Sequence, residues 1–130
     1  MKRRTAREKA LQALFQIDMN EAEPEVAIKN ILKDEQSDEY LTKLVNGTFQ
    51  NLKDIDEIIS KHLEKWTIER LAKVDLNIIR LGVYELMYID EVPANVAINE
   101  AIEVSKRFGD ERSSKFINGV LSKIKETVEK

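Results

Sequence analysis

Hydrophobic residues recur at helical spacing along nearly the whole chain, and no stretch shows the sustained alternation of a strand. Polar breaks at residues 20–24, 34–38 and 91–94 separate the periodic segments. Only four Gly and two Pro interrupt the chain, so the connections between helices should be short. The pattern predicts an all-α fold of about seven helices.

The ends of several helices can be predicted from capping residues. Thr5 and Glu8 have the spacing of a capping box, so the first helix should begin near Thr5. Thr67 can cap the fifth helix, and Gly109 should end the sixth in a left-handed conformation. The fourth helix should carry one continuous apolar stripe, which consists of Ile55, Ile58, Ile59, His62, Leu63 and Trp66.

The fifth predicted helix differs from the others because apolar residues surround most of its circumference. A helix of this kind is usually central and packed on several sides. Its remaining acids are Asp75 and Glu85, with Glu69 close by. They could form an edge that suits a basic protein partner, although the residues alone favour an ordinary solvated edge.

Composition excludes several classes of chemistry. The chain contains no Cys and a single His, His62, so it lacks the usual ligands of transition metals and cannot form disulfides. No phosphate-binding glycine loop, paired-acid site or nucleophile–base set is recognisable. We therefore expect neither an enzyme nor a cofactor. Charges interrupt every apolar run, which argues against a membrane span and favours the cytoplasm.

Charge is distributed unevenly along the chain. The net charge is −3, yet the first ten residues contain five basic side chains and one Glu. The N-terminal basic cluster (Lys2, Arg3, Arg4 and Arg7) leads into a helix that carries Gln12 and Phe15. Cations neutralise phosphates, Gln can contact a base edge and Phe can stack on an unpaired base, a combination that suits single-stranded RNA. Phe15 could equally belong to the core, and the N-terminus could be a solvated end.

A second set of candidate RNA contacts lies around the turn between the sixth and seventh helices. Lys106 and Arg107 precede this turn, and the segment from Arg112 to Phe116 follows it. Phe116 lies just outside the apolar stripe of the last helix, so an exposed position is expected. Helix N-termini also favour phosphates. An ordinary solvated turn is the simpler alternative.

Three segments resemble one family closely: residues 6–15 (AREKALQALF), residues 81–86 (LGVYEL) and residues 92–121, which include VPANVAINEAIE and KFINGVL. On these motifs the chain resembles the NusB antitermination factors over nearly its whole length. The resemblance implies two packed three-helix subdomains with a connecting helix. It also implies binding of the boxA element of nascent ribosomal RNA together with NusE, a small-subunit ribosomal protein, in a complex that modifies RNA polymerase.

Residue roles follow from the resemblance by motif. The RNA-binding residues would be Lys2, Arg3, Arg4, Arg7, Gln12, Phe15, Lys115 and Phe116. Glu69 and Asp75 would face NusE. The match loosens around Arg112, which receives no role. We expect one domain over residues 1–130, preceded by a short basic arm of about residues 1–5.

Two alternatives to an antitermination factor stay open. Some ribosomal RNA methyltransferases carry a similar RNA-binding domain at the N-terminus, so the chain could be an accessory subunit that acts with a catalytic partner in trans. Only nine residues follow Leu121, which leaves no room for a cofactor-binding domain. The other alternative is a structural homodimer with a hidden RNA surface.

Overall fold

The computed structural model describes residues 1–128, whose regular structure is entirely helical. Its α-helices are α1 (Arg3–Asn20), α2 (Pro24–Leu32), α3 (Glu39–Gln50), α4 (Leu52–Lys61), α5 (Lys73–Tyr88), α6 (Ala94–Phe108) and α7 (Glu111–Lys125). A short 3-10 helix, Ile68–Arg70, precedes α5. Residues 1–128 contain no strand, and the predicted all-α fold of about seven helices is confirmed. No helix in this range is long and apolar enough to cross a membrane.

The helices pack as two groups of three. Helices α1, α2 and α3 contact one another, and so do α5, α6 and α7, while α4 contacts α3, α5 and α7. Helix α1 also packs along α5, so the two groups share one hydrophobic core. This arrangement matches the two three-helix subdomains and connecting helix that the resemblance implies.

Helix α5 forms the centre of the molecule, as its apolar circumference predicts. Every residue from Leu76 to Leu86 is buried. Gly82 lies where α5 approaches α7 most closely, since a Cβ added there would lie 2.9 Å from Cδ1 of Leu121. Gly47 on α3 is more tightly confined, because an added Cβ would lie 2.1 Å from Cζ and Oη of Tyr84. Small residues at both positions therefore allow α5 to pack on two sides.

The start of α1 differs from the prediction. The helix begins at Arg3 and not near Thr5, and its N-cap residue, Lys2, makes no side-chain capping bond. Two arginines of the first turns are held by Glu100 on α6, which brings this end of α1 onto the body of the molecule. Most of the expected basic arm is therefore helical.

Three other helix ends were also predicted wrongly. Helix α5 begins at Lys73, whereas Thr67 precedes the 3-10 helix and makes no side-chain capping bond. Helix α4 ends at Lys61, and Nδ1 of His62 lies 2.8 Å from the carbonyl oxygen of Ile58. Trp66 consequently lies in the following loop and not on the stripe of α4. Gly109 ends α6 with φ −123°, an extended and not a left-handed conformation. Asp110 then starts α7 at once by accepting a hydrogen bond from the backbone N–H of Ser113.

Candidate RNA and protein interfaces

Arg7 is the buried member of the N-terminal basic cluster, with only 5% of its surface exposed. Its Nε and Nη2 donate to the two carboxylate oxygens of Glu85 at 2.8 and 2.9 Å, and its Nη1 donates to Glu100 at 3.1 Å. The hydroxyl of Tyr40 also donates to Glu85, at 2.6 Å. These contacts join α1 to α3, α5 and α6 inside the protein.

Two expectations about surface residues therefore do not match the structure. Arg7 is enclosed by carboxylates, so its guanidinium does not lie on the surface where an RNA phosphate would approach. Glu85, which the sequence suggested for an acidic edge, is 2% exposed in its side chain and bound to Arg7. Both residues hold helices together in this structure.

The other members of the cluster, Lys2, Arg3 and Arg4, are exposed. Arg4 forms two hydrogen bonds with Glu100, at 3.1 Å from Nε and 2.7 Å from Nη2. The guanidinium of Arg3 lies 4.0 Å from the centre of the Tyr40 ring, a cation–π contact. Lys2 and Arg3 form no ion pair within residues 1–128, so they are the cations of the cluster that remain for an external anion.

The hydrogen bond from Arg4 holds the pKa of Glu100 below its usual value, and the charge of Arg7 adds to this effect. A lowered folded-state pKa stabilises the protein above the unfolded value of 4.5, and this contribution is lost as the pH falls through the folded pKa. Below about pH 5, the denaturant concentration at the unfolding midpoint should depend less on pH for Glu100→Gln than for the wild type. Equal loss of stability in both proteins on acidification would contradict this prediction.

Gln12 and Phe15 continue the exposed side of α1 beyond the cluster. Arg4, Glu8, Gln12 and Phe15 are spaced by four, four and three residues, so they form one stripe along the helix. Gln12 is exposed, and Phe15 is half-buried outside the buried core. Glu8 accepts a hydrogen bond from Arg107 at 2.7 Å, which joins this stripe to the end of α6.

Lys115 and Phe116 lie near the start of α7, far from that stripe in the sequence. Lys115 is exposed. The expected exposure of Phe116 is wrong, because this residue is half-buried against the core. Phe116 and the loop residue Trp66 together line two adjacent clefts. The lysine cleft is lined also by Lys65, Lys115, Lys123 and Gly119. The aspartate cleft is lined also by Arg70, Arg112 and Asp75.

The two predicted partner-facing acids lie close together. Asp75 is half-buried in the first turn of α5, and Glu69 is exposed in the 3-10 helix just before it. Neither forms an ion pair within residues 1–128. Because Asp75 and Phe116 line the same cleft, residues predicted for a protein partner and for RNA are neighbours on one surface.

Two residues of these surfaces had no signal in the sequence, and a third was assigned to the wrong element. Tyr40 and Glu100 reach the N-terminal basic cluster from other helices, and Glu100 is 93 residues from Arg7. An isolated Glu on an amphipathic helix looks solvated, so no local pattern identifies it. Trp66 was misassigned because its spacing fits the stripe of α4, although the helix ends before it.

Comparison with known proteins decides the family. The model of the NusB family matches residues 4–126. This chain belongs to the NusB family. A transcription antitermination protein NusB from Listeria monocytogenes serotype 4a is 59% identical over 124 residues, which cover 95% of this chain and 96% of the relative. The resemblance inferred from three sequence motifs is confirmed.

Solved NusB structures share the fold over nearly the full chain. The structure of T. maritima NusB has a TM-score of 0.88 and 40% identity, and the match covers 97% of this chain and 92% of that one. A crystal structure of antitermination factors NusB and NusE in complex with dsRNA has a TM-score of 0.89 and 33% identity, with 97% of each chain covered. The assignment to a family of antitermination factors, and not of enzymes, is confirmed.

Proposed function

We propose that this NusB-family protein acts in the cytoplasm as a non-catalytic antitermination factor that binds boxA-type RNA of nascent ribosomal transcripts together with NusE. One observation carries the RNA-binding part. Lys2, the N-cap residue, and Arg3, the first residue of α1, are exposed cations with no acidic partner in residues 1–128. They lie beside a stripe that continues to Gln12 and Phe15. Such a surface can bind a phosphate and a base of the same strand.

The comparison with a NusB–NusE complex supports both partners. That complex contains a dsRNA, and its NusB chain superposes over almost the entire length of this one. We propose a single-stranded target because Gln12 and Phe15 can contact only bases that are not enclosed in a duplex. A duplex of the same sequence is therefore the control ligand.

The basic surface is smaller than a count of cations suggests. Arg4 and Arg107 are each bound to a carboxylate, and Arg7 is buried between two. A cation that is already paired with a carboxylate contributes less to phosphate binding than an unpaired one. We infer that Lys2 and Arg3 contribute most of the salt-dependent affinity, with Lys115 as a further contact, and that Arg7 supports the surface from beneath.

The edge around Asp75 and Glu69, which adjoins the lysine cleft, would receive the protein partner. Asp75 and Glu69 present two carboxylates at the start of α5, and neither is neutralised by an ion pair within the described residues. A small ribosomal protein is usually basic, and complementary charge orients such a partner as it approaches. We propose that NusE binds against this edge.

The variant Lys2→Ala/Arg3→Ala removes the two exposed cations of the cluster that form no ion pair within residues 1–128. It should weaken binding of single-stranded boxA RNA and reduce the dependence of this binding on salt. Each phosphate contact to a single strand contributes about 0.7 to the slope of log affinity against log salt, so the slope should fall by about 1.4. The measurement is fluorescence anisotropy of labelled RNA at several salt concentrations.

The control is Lys53→Ala/Lys61→Ala, which removes two exposed cations from α4 and leaves the net charge equal to that of the test variant. This control should keep the slope of the wild type. If both double variants lose the same slope, only the overall charge of the protein matters. If neither loses any, RNA does not contact the start of α1.

A further inference from the structure

Trp66 is an exposed aromatic residue that neither the fold nor the proposed RNA surface explains. It lies in the loop after α4, and 52% of its surface is exposed. A contiguous patch of exposed apolar side chains can mark a binding surface, whereas one such side chain alone does not. Trp66 does not stand alone, because Phe116 lines the same lysine cleft. Two aromatic side chains therefore border one open cleft.

The charges of the lysine cleft favour an anionic ligand. Lys65, Lys115 and Lys123 line it, and Glu64 is the one carboxylate among its lining residues. Lys123 is paired with that Glu64, which leaves Lys65 and Lys115 for an approaching anion. The contact between Lys115 and Glu111 is long, at 4.0 Å, and fully exposed, so it holds Lys115 only weakly.

Gly119 leaves the backbone of α7 open to the lysine cleft. It lines the lysine cleft in the interior of the helix, where Gly is unfavourable compared with Ala. A Cβ added at Gly119 would meet no atom within 4 Å, so the packing of this protein does not require a Gly. A flat ligand that approaches the backbone of α7 would use this open space.

We propose that the lysine cleft is a second RNA contact, in which Trp66 stacks on an unpaired base and Lys65 and Lys115 neutralise an adjoining phosphate. Base stacking on exposed aromatic residues tolerates any base and is typical of single-stranded binding. This inference rests on the proposed RNA-binding function and extends it to Trp66 and Lys65, which do not belong to the N-terminal basic cluster.

Tryptophan fluorescence can detect this contact specifically, because Trp66 is the one tryptophan of the chain. Single-stranded boxA RNA is titrated into the full-length protein, while tryptophan emission and the anisotropy of labelled RNA are followed in parallel. Stacking should quench the emission of Trp66 with the midpoint that anisotropy gives. Unchanged emission while anisotropy saturates would overturn the proposal.

Three variants complete the test. Trp66→Ala should weaken RNA binding about 5- to 150-fold, the range for loss of one base–aromatic stack, whereas Trp66→Phe should keep most of the affinity. Gly119→Leu should weaken binding by filling the open space, without lowering the melting temperature. Affinities within twofold of the wild type for both Trp66→Ala and Gly119→Leu would overturn the proposal.

The outcomes separate this inference from the proposed function. If Lys2→Ala/Arg3→Ala loses affinity and Trp66→Ala does not, RNA binds at the start of α1 only, and the lysine cleft is not a contact. If the wild type binds no boxA RNA with or without NusE, the proposed function itself is wrong. If both sets of variants lose affinity, both stand.

Discussion

Arg7→Ala should destabilise the protein by about 3–5 kcal/mol, because removal of one partner leaves the other charge of a buried pair poorly compensated. Arg7 makes two hydrogen bonds to Glu85 and one to Glu100, and it is 5% exposed. A loss of this size is a large part of the stability of a single domain. Chemical denaturation measured by circular dichroism gives the free energy of unfolding.

Arg4→Ala is the matched control for Arg7→Ala, since Arg4 binds the same Glu100 from the exposed side. Exposed pairs contribute about 0–1 kcal/mol, so this variant should stay close to the wild type. Arg7→Met/Glu85→Leu should recover much of the loss, because apolar side chains of similar volume can replace a buried pair. If Arg7→Ala is as stable as Arg4→Ala, Arg7 is not the buried link between α1 and α5.

Asp75→Lys should reduce binding of NusE by more than a hundredfold. Like charges brought together in an interface cost several kcal/mol, and each 1.4 kcal/mol corresponds to a factor of ten. Asp75 is half-buried at the start of α5. In the variant, a basic partner would meet the Lys ammonium group in place of the Asp carboxylate. Isothermal titration calorimetry with NusE measures the change, and RNA binding by the isolated variant should be unchanged or slightly stronger.

The control for the partner surface is Glu25→Lys. Glu25 is also an acid in the first turn of a helix, α2, and it is exposed. The two variants make the same change in net charge and in the interaction with a helix N-terminus. Wild-type affinity of NusE for Asp75→Lys, or an equal loss in Glu25→Lys, would mean that the partner binds elsewhere.

The fold could be predicted from the sequence because it depends on local periodicity. Helix α5 was predicted to be central from its apolar circumference, and every residue from Leu76 to Leu86 is buried. Helix ends were less predictable. The start of α1 is fixed by ion pairs with α6, and Gly109 is extended because Asp110 begins the next helix immediately.

The surface residues could be predicted only in part. Residue type and position suggested cations at the start of α1, and Lys2 and Arg3 are exposed there. The burial of Arg7 was not predictable, because Glu85 and Glu100 come from distant parts of the chain. A charge count treats every Arg as solvated, whereas tertiary packing decides which of them meets a carboxylate.

The most direct test of the account is RNA binding by the wild-type protein with and without NusE, at a stated salt concentration. Labelled single-stranded boxA RNA, a strand of scrambled sequence and the boxA duplex are compared by anisotropy. The account predicts that boxA RNA binds most tightly, that NusE strengthens this binding, and that affinity falls with salt. Equal affinity for all three RNAs, or no effect of NusE, would contradict it.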